Sequence, residues 1–388
     1  MKKVVILGST GSIGTNTLSV IEHFPDRFSV EALSCHKSID RLSDQIRRYS
    51  PAAVAVTEEL TSHSFRELCK NRSVRLFQGK NGQLDMLESI EADIVVNGIS
   101  GSSGLVPSIK AIECGRQLLN ANKESIVMAG PIIMRAVEKN GVLLIPIDSE
   151  HFAIFSLLRQ VPAACVEQVI LTASGGAFRD LPLERWGEIR LEDALTHPNW
   201  DMGPKNTIDS ATMANKGLEL IETHYLFGVD VSKIKVTIHP ESAVHSLIRT
   251  IDGFYYAQIS QPDMRMVIQN ALTYPDLQSA AFGTMDLVGK QFTFLPVDYN
   301  KYRLLALAYQ AIEQRASYPI AFNAANEVAY EFFLSKRISF VEIPEIVEDT
   351  LNLSWSQSAE TVESVLEIDR TARRNALSFA KTKAKAAS

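Results

Sequence analysis

The first 24 residues constrain the fold of this chain more than any other stretch. Residues 3–7 form a short apolar run that predicts a β-strand, and Gly8-Ser-Thr-Gly-Ser-Ile-Gly14 follows it directly. A stretch compatible with a helix, residues 12–24, comes next. A strand, a glycine-rich turn and a helix in this order are typical of a dinucleotide-binding unit, in which the turn and the helix N-terminus hold a pyrophosphate. The spacing is G-x-x-G-x-x-G rather than G-x-G-x-x-G, so the order of elements is the stronger signal.

Strands and helices continue to alternate after this unit. Repeated βα units predict an N-terminal, Rossmann-like doubly wound parallel sheet of the α/β class, ending near residue 150. Its remaining strands are predicted at residues 29–33, 53–56, 74–77, 94–97, 118–120 and 142–147, and its helices at 39–49, 62–70 and 107–115.

The residues after the second strand indicate which dinucleotide would bind. A site for NAD usually carries Asp or Glu at this point, about 20 residues after the glycines, to hold the ribose 2′-hydroxyl. This chain reads Ser34-Cys35-His36-Lys37-Ser38 instead. A lysine flanked by hydroxyl groups suits a 2′-phosphate, so the sequence favours NADPH.

The apolar run 142–147 ends on two carboxylates, Asp148 and Glu150, separated by Ser149. If the chain continues extended, residues two apart face the same side, and the two acids can converge where parallel strands present their carboxyl ends. A divalent cation would relieve their repulsion. The alternative is an acidic pair that ends the strand and caps the next helix. These residues alone leave both interpretations open.

A second group of polar residues lies in a predicted helix at residues 207–222. Asn215, Lys216 and Glu219 fall within one arc of about 100° on that helix. Ser210 falls opposite this arc and can share a site with it only if the helix begins at or just after Asp209-Ser210, both good N-cap residues. A solvated i,i+3 ion pair is the alternative for Lys216 and Glu219.

Three further features carry possible chemistry. Ser174-Gly175-Gly176 follows a predicted strand at 167–173 and could present amides and a hydroxyl to an anion. The proline-framed loop 196–205 contains Trp200, which either anchors the loop to the core or belongs to a lid that excludes water. Lys123 follows a strand end, although an isolated lysine is more often a solvated surface residue.

The remaining regions are expected to be supporting structure. The middle of the chain is predicted to be α+β, with an antiparallel sheet that extends from the nucleotide domain and a hairpin through Asp252-Gly253. A less periodic linker follows, and the tail at 381–388 is expected to fray. Helical patterns at 302–314, 319–334, 343–352 and 359–380 predict a C-terminal helical bundle.

Composition narrows the partners and the compartment. The net charge of −6 provides no basic field for nucleic acid or an anionic membrane. No apolar run approaches the length of a membrane span or a secretory leader. The four cysteines are far apart without paired spacing, which is typical of reduced thiols in a cytoplasmic protein.

Taken together, the motifs resemble those of the 1-deoxy-D-xylulose 5-phosphate reductoisomerase family. The resemblance runs in order along almost the whole chain. It rests on Gly8–Gly14, Asn120-Ala-Asn-Lys-Glu-Ser125, Asp148-Ser-Glu150, His197-Pro-Asn-Trp200, Asp209-Ser-Ala-Thr-Met213, Asn215-Lys-Gly217 and Pro262-Asp-Met-Arg265.

The resemblance implies an activity and a set of site residues. The family consists of homodimeric enzymes of the non-mevalonate isoprenoid pathway that use NADPH and a divalent metal, Mg²⁺ or Mn²⁺. They convert 1-deoxy-D-xylulose 5-phosphate into 2-C-methyl-D-erythritol 4-phosphate. The implied metal ligands are Asp148, Glu150 and Glu219, which with Lys123 and His197 form the implied catalytic set. Lys123, which also lies beside the nicotinamide, and Ser149 would contact the oxygenated carbons of the substrate.

Further contacts are implied by the same resemblance. The substrate phosphate would be held by Ser174, Ser210, Asn215 and Lys216, and the lid would contain His197 and Trp200, with His245 and Met264 lining the pocket. Cofactor contacts would come from Thr10, Gly11, Ser12, Ile13, His36, Lys37, Ser38, Asn122, Lys123, Glu124 and Gly203. The chain departs from the family at His36, where glycine is usual, and at Pro204, where a basic residue is frequent.

These expectations define a domain plan and two rival functions. We expect an NADPH-binding domain at 1–150, a catalytic domain at 151–273 with a lid at about 194–204, a linker at 274–300 and a helical domain at 301–388. The rivals are a metal-independent NADP-dependent dehydrogenase of the semialdehyde or homoserine type and a non-catalytic NADPH sensor. Neither rival requires the three carboxylates.

Overall fold

A computed structural model describes residues 1–59, 62–200 and 202–386. Contacts within the chain divide it into two compact units. Asp201, within the predicted lid, and the last two residues of the predicted tail, Ala387 and Ser388, lie outside the described residues. Unit 1 consists of Met1–Ser125, Ile133–Phe152 and Asp263–Gly283, and unit 2 of Ile126–Ile132, Ala153–Pro262 and Thr284–Ser388.

Unit 1 contains a seven-stranded parallel sheet with the strand order β4-β3-β2-β1-β5-β6-β7. The central strand β1 pairs with β2 on one side and β5 on the other, so the strand order reverses there. This confirms the predicted doubly wound sheet. Its strands are β1 (Lys2–Leu7), β2 (Phe28–Cys35), β3 (Ala53–Val56), β4 (Arg75–Gln78), β5 (Ile94–Asn97), β6 (Gln117–Asn120) and β7 (Leu144–Pro146).

Unit 2 contains a separate four-stranded sheet with the order β11-β10-β8-β9. The predicted antiparallel extension of the nucleotide-domain sheet is therefore wrong. The sheet is also mixed, because β8 and β9 are parallel. Several helices separate these two strands in sequence, which is the long crossover that parallel neighbours need. The strands are β8 (Val166–Ala173), β9 (Ile234–Ile238), β10 (Val244–Thr250) and β11 (Tyr255–Ile259), the last two forming the predicted hairpin.

Helices account for most of the remaining regular structure. In chain order they are α1 (Ser12–His23), α2 (Ile39–Tyr49), α3 (His63–Asn71), α4 (Gly82–Ser89), α5 (Leu105–Glu113), α6 (Lys123–Asn140), α7 (Ser149–Leu158), α8 (Leu191–Ala194), α9 (Pro204–Thr212), α10 (Ala214–Phe227), α11 (Met264–Thr273), α12 (Arg303–Gln314), α13 (Tyr318–Leu334), α14 (Glu342–Leu351) and α15 (Val362–Ala386).

The strands of unit 1 could be recognised in the sequence because they are buried. Val4–Leu7 and β3 are almost completely buried, and strands covered on both faces read as continuous apolar runs. The helices were harder to predict, and no helix was predicted at α6. Helix α4 was missed because it is only eight residues long and starts at a glycine. Helix α5 begins two residues before the predicted start at Pro107.

Helix α11 belongs to unit 1 in this grouping and packs against α1. Next to these helices, the ring of Phe282 lies edge-on to His23, with ring centroids 4.7 Å apart. The guanidinium of Arg265 lies 4.6 Å from the centre of the same ring. The four-part domain plan drawn from the sequence stays a prediction beside this grouping.

The four predicted C-terminal helices are confirmed as α12 to α15, which pack against one another in unit 2. The last helix continues through residues predicted to fray and ends at Ala386. Helix α10 packs on α12 through Gly217, where an added Cβ would lie 2.7 Å from the Cβ of Ala308. Among the described residues, no helix combines the length and apolar character needed to cross a membrane.

The close approach at Gly217 gives a stability prediction. We expect Gly217→Ala to destabilise unit 2 by about 1–3 kcal/mol, because the added methyl overpacks the contact with Ala308. Gly187→Ala is the control, since a Cβ there meets nothing within 4 Å. Thermal unfolding midpoints of the two variants test this. Equal midpoints would show that α10 and α12 can separate without cost.

Candidate active site

The acidic strand end adopts the helix-capping geometry that the sequence left open as the alternative to an extended chain. The chain does not continue extended after β7, because α7 already begins at Ser149. Asp148 caps this helix: its Oδ1 accepts hydrogen bonds from the backbone N–H of Glu150 (3.1 Å) and of His151 (3.4 Å). The expectation that strand alternation aligns the two acids is therefore wrong. The helical turn brings them together instead, with one oxygen of each carboxylate within 4.8 Å of the other.

Lys123 lies beside this acidic pair because of the sheet order. Strands β6 and β7 are neighbours, with Asn120 opposite Pro146, so the segments after them emerge side by side. Lys123 is the first residue of α6, and its Nζ donates to Oδ2 of Asp148 at 2.9 Å. Its exposure is 7%, so the solvated-lysine interpretation is excluded. A buried ammonium of this kind requires a carboxylate partner.

The residues on either side of Lys123 hold a neighbouring turn. The amide of Asn122 donates to the carbonyls of Ile99 (2.9 Å) and Gly101 (2.8 Å), and its Oδ1 caps α6. The carboxylate of Glu124 accepts from the N–H of Gly101 at 3.1 Å. Both side chains are buried and engaged within the protein.

The glycine-rich turn after β1 is fitted closely to the start of α1. A Cβ at Gly14 would lie 2.4 Å from the Cα of Ser9, so only glycine allows this approach. Helix α1 begins after Gly11, which supplies no side-chain cap, and Gly11 and Ser12 are exposed. An uncapped helix N-terminus next to an exposed glycine turn is suited to an anion.

Three exposed polar residues follow β2 beside this turn: His36, Lys37 and Ser38. The Nδ1 of His36 shares a hydrogen bond of 3.0 Å with the hydroxyl of Thr57, which follows β3. The imidazole is thus tethered next to Lys37. The arrangement suits a second anionic group, as the sequence predicted for a 2′-phosphate.

The predicted single helix at 207–222 is two helices. Helix α9 ends at Thr212, Met213 adopts the left-handed conformation with φ 61°, and α10 begins at Ala214. Ser210 therefore lies in the last turn of α9 rather than at an N-cap, and Asn215 and Lys216 lie in the first turn of α10. The break at Met213 between α9 and α10 therefore brings Ser210, Asn215 and Lys216 to the same helix junction, and an N-cap does not.

Glu219 receives two short hydrogen bonds on α10. The Nδ2 of Asn215 donates to its Oε1 and the Nζ of Lys216 to its Oε2, both at 2.5 Å. The predicted arc is confirmed by these contacts. Lys216 is 3% and Glu219 0% exposed, so the solvated ion pair is excluded. Glu219 belongs to unit 2, whereas Asp148 and Glu150 belong to unit 1.

Asp209, which the sequence suggested as an N-cap, anchors α9 instead. Its buried carboxylate accepts from Nζ of Lys205 at 2.5 Å and from Nδ2 of Asn326 at 3.0 Å. Asn326 lies on α13, so this contact ties α9 to the C-terminal helices. The N-cap interpretation failed because α9 starts earlier, after Gly203.

The turn Ser174-Gly175-Gly176, which we call the glycine turn, packs against the end of α9. Gly175 and Gly176 have φ values of 84° and 69°, in the left-handed region that favours glycine. A Cβ at Gly176 would lie 2.6 Å from the carbonyl oxygen of Ser210. The N–H of Gly176 donates to Oγ of Ser174 at 3.1 Å. The structure thus brings the backbone around Ser174 and Ser210 together.

His197 links the predicted lid to the glycine turn. Its Nδ1 accepts hydrogen bonds from the backbone N–H of Asn199 (3.1 Å) and of Trp200 (3.0 Å). Its Nε2 must then carry the proton and donate to Oγ of Ser174, 3.0 Å away. Burial lowers the pKa of His197 to about 4, in accord with a neutral ring. Since Ser174 Oγ accepts from His197 and Gly176, its own proton is left to donate to another acceptor.

Trp200 lies between anchored residues of the predicted lid and strand β10. The amide of Asn199 donates to the carbonyl of Pro240 (2.6 Å) and to Oγ of Ser242 (2.8 Å). The ring of Trp200 lies 6.2 Å from that of His245, whose Nε2 shares a hydrogen bond of 2.8 Å with Ser260. The core-anchor and lid interpretations are compatible here. The other predicted pocket residue, Met264, is the first residue of α11, in unit 1.

Three family models match the chain in order. They are described as 1-deoxy-D-xylulose 5-phosphate reductoisomerase over residues 4–130, 1-deoxy-D-xylulose 5-phosphate reductoisomerase C-terminal domain over 144–227, and DXP reductoisomerase C-terminal domain over 259–375. Together they cover the βα region, the segment from β7 to α10, and the segment from α11 to the middle of α15.

Curated relatives and solved structures agree with the models. The chain is 43% identical over 382 residues to 1-deoxy-D-xylulose 5-phosphate reductoisomerase of Rippkaea orientalis, covering 97% of this chain and 96% of the relative. The enzyme of Geotalea uraniireducens is 44% identical over 374 residues, covering 96% and 97%. A structure of DOX-P reductoisomerase in complex with NADPH, fosmidomycin and magnesium has a TM-score of 0.92 at 33% identity, covering 98% of both chains. The Zymomonas mobilis enzyme in complex with NADPH gives 0.89 at 36% identity, covering 98% and 99%. The chain belongs to the 1-deoxy-D-xylulose 5-phosphate reductoisomerase family.

Proposed function

We propose that this chain converts 1-deoxy-D-xylulose 5-phosphate into 2-C-methyl-D-erythritol 4-phosphate with NADPH and a divalent metal ion, in non-mevalonate isoprenoid synthesis. The chain belongs to the family that catalyses this reaction. Within the structure, the main support is the face of α10 on which Asn215 and Lys216 both donate hydrogen bonds to Glu219. Burying an amide, an ammonium and a carboxylate on one helix face has a stability cost, which a binding role would explain. The rival dehydrogenase and sensor functions would need no such face.

The metal ligands in this proposal are Asp148, Glu150 and Glu219. A set of carboxylate oxygens fits a hard cation such as Mg²⁺ or Mn²⁺ and disfavours zinc. When bound, the cation supplies Lewis acidity that stabilises negative charge on adjacent substrate oxygens. Lys123 and Lys216 each donate to one of these carboxylates and hold it in place. Ser149 lies between two of the ligands, and its Oγ donates to Glu150 at 2.5 Å.

The substrate phosphate is assigned to Ser174, Ser210, Asn215 and Lys216. The free proton of Ser174, the N-terminal turn of α10 and the ammonium of Lys216 are all suited to an anion. A phosphate held there is a remote handle whose binding energy can position the reacting carbons.

The cofactor is assigned to the turn after β1 and the segment after β2. Thr10, Gly11, Ser12 and Ile13 would hold the pyrophosphate, and His36, Lys37 and Ser38 the 2′-phosphate. Because the side chains of Asn122 and Glu124 are engaged within the protein, contacts from them would come from the backbone. Gly203 and Lys123 complete the assignment, with Lys123 beside the nicotinamide.

The lid is assigned a water-excluding role. Trp200 and His197 would close over the substrate, with His245 and Met264 lining the pocket. Support comes from the bond between His197 and Ser174, which joins the lid to a residue of the phosphate site. We keep the domain plan of 1–150, 151–273, 274–300 and 301–388 as part of this proposal.

Two further assignments concern assembly and location. We infer a homodimer that forms along β11, the edge strand of the unit 2 sheet. This edge and its turn expose Phe254, Tyr255, Tyr256 and Ile259, and an exposed apolar edge favours pairing with another strand. A cytoplasmic location is supported by four free cysteines, two of them buried.

Glu219→Gln tests the site. Loss of a residue that only supports a metal ligand typically lowers activity roughly 10–100-fold. We expect a larger fall in turnover here, because Glu219→Gln removes the charge of a proposed ligand itself. NADPH binding should be nearly unchanged, because all of the assigned nucleotide contacts except Gly203 lie between Thr10 and Glu124. Glu222→Gln is the matched control, a carboxylate equally buried on the same helix. Loss of NADPH absorbance measures turnover, and NADPH fluorescence measures binding.

Two outcomes would contradict this proposal. NADPH oxidation that persists after exhaustive chelation would remove the metal role. Equal losses of turnover in Glu219→Gln and Glu222→Gln would show a general effect of buried charge on α10.

The neutral state of His197 gives a pH prediction. The folded pKa of about 4 lies below the ordinary value of 6.5, so the unfolded chain binds this proton first as the pH falls. The contribution of His197 to stability is therefore complete above pH 6.5 and is lost as the pH falls toward 4. The imidazole signal of His197 is identified in NMR spectra by its absence from the His197→Gln variant. In a pH titration, its chemical shift should change with a midpoint near pH 4. A midpoint near 6.5 would mean that the ring is not held as a double acceptor.

Tyr255→Lys tests the dimer edge. A charge on an exposed edge strand opposes pairing, so we expect the variant to dissociate at concentrations where the parent chain is dimeric. Leu277→Lys is the control, because Leu277 is an exposed apolar residue that belongs to unit 1 and not to the sheet that contains β11. Sedimentation velocity measures both. Dimers that resist Tyr255→Lys would place the interface elsewhere.

A further inference from the structure

The backbone of the glycine turn is held by side chains that are not among the residues assigned to the substrate phosphate. The hydroxyl of Tyr302, which precedes α12, donates to the carbonyl of Gly175 at 2.8 Å. Tyr302 is 1% exposed, and burial raises its pKa, so the hydroxyl keeps its proton. The guanidinium of Arg179 donates to the carbonyl of Ser174 at 3.2 Å. Two consecutive carbonyls of the turn therefore have fixed partners.

Lys301 extends this support to the chain after the turn. Its Nζ donates to the carbonyls of Arg179 (2.6 Å) and Leu181 (2.7 Å). The ring of Trp186 lies 5.6 Å from the same ammonium and 5.9 Å from the ring of Tyr302. The pair Lys301-Tyr302 thus fixes the segment from Gly175 to Leu181.

The contact of Tyr302 also orients an amide. The carbonyl of Gly175 and the N–H of Gly176 belong to one planar peptide group, so fixing one fixes the other. That N–H donates to Oγ of Ser174, which also accepts from His197. A chain of contacts therefore runs from Tyr302 through one peptide plane to the hydroxyl of Ser174. Glycines can adopt many conformations, so the orientation of this peptide plane depends strongly on a hydrogen bond from a side chain outside the turn.

We propose that Tyr302 is a positioning residue of the phosphate site, which aims the Ser174 hydroxyl by fixing the Gly175–Gly176 peptide plane. The proposal rests on the phosphate role assigned above to Ser174. It gives the start of the C-terminal helical region, where the sequence analysis found only support, a part in recognising the substrate.

Tyr302→Phe tests this with one atom removed. We expect the Kd for inorganic phosphate and the KM for 1-deoxy-D-xylulose 5-phosphate each to rise about 3- to 10-fold, the effect of one lost buried hydrogen bond. Tyr309→Phe is the matched control: Tyr309 lies on α12, and its hydroxyl donates to the carbonyl of Ile234 at 3.1 Å. It should lose comparable thermal stability and keep both constants. Calorimetric titration with NADPH and Mg²⁺ present gives the phosphate Kd.

The outcomes separate this inference from the assignment on which it rests. If Ser174→Ala weakens phosphate binding while Tyr302→Phe behaves like Tyr309→Phe, the positioning role is overturned and the phosphate assignment stands. If Ser174→Ala leaves phosphate binding unchanged, the assignment itself fails, and the role of Tyr302 fails with it. A rise in both constants that is specific to Tyr302→Phe, together with weaker binding by Ser174→Ala, supports both.

Discussion

Paired charges hold the residues proposed for function in each of the two units. Lys123 with Asp148, Lys216 with Glu219 and Lys205 with Asp209 each join an ammonium to a carboxylate at 2.9 Å or less, with little or no solvent contact. Such pairs stabilise a fold less than apolar contacts of similar size, and removing one partner is costly. These pairs indicate that the chain accepts a stability cost to hold charges in fixed places.

Histidine serves a comparable purpose in the loops. His197 accepts two successive backbone amides through Nδ1, and the fully buried His239 accepts those of Ala243 and Val244 through Nε2. In each case the ring replaces the partners that regular secondary structure would give the amides. Asn199 then joins the two loops through Pro240 and Ser242. Residues 197–200 of the predicted lid are therefore held by polar contacts.

Much of the fold was predictable because buried parallel strands form continuous apolar runs and amphipathic helices have a strong periodic pattern. The sequence also predicted the shared face of Asn215, Lys216 and Glu219, which depends only on helix periodicity. It failed where a single backbone conformation decides the geometry. The left-handed Met213 divides one apparent helix into two, and the early start of α7 converts Asp148 from a strand residue into a cap. Neither event has a pattern in residue type, because Met rarely adopts positive φ and Asp suits both states.

The contact between Gly217 and Ala308 limits the size of the side chains where α10, which carries proposed site residues, packs against the helical bundle. Lys216 and Gly217 are adjacent, so the residue that faces Glu219 and the residue that meets α12 occupy neighbouring positions on the same helix. With Cβ atoms only 2.7 Å apart in a Gly217→Ala chain, neither position can grow unless the other shrinks or the helices move apart. Substitutions at these two positions are thus expected to be interdependent, and a larger residue at 308 would act on the ammonium of Lys216 without touching it.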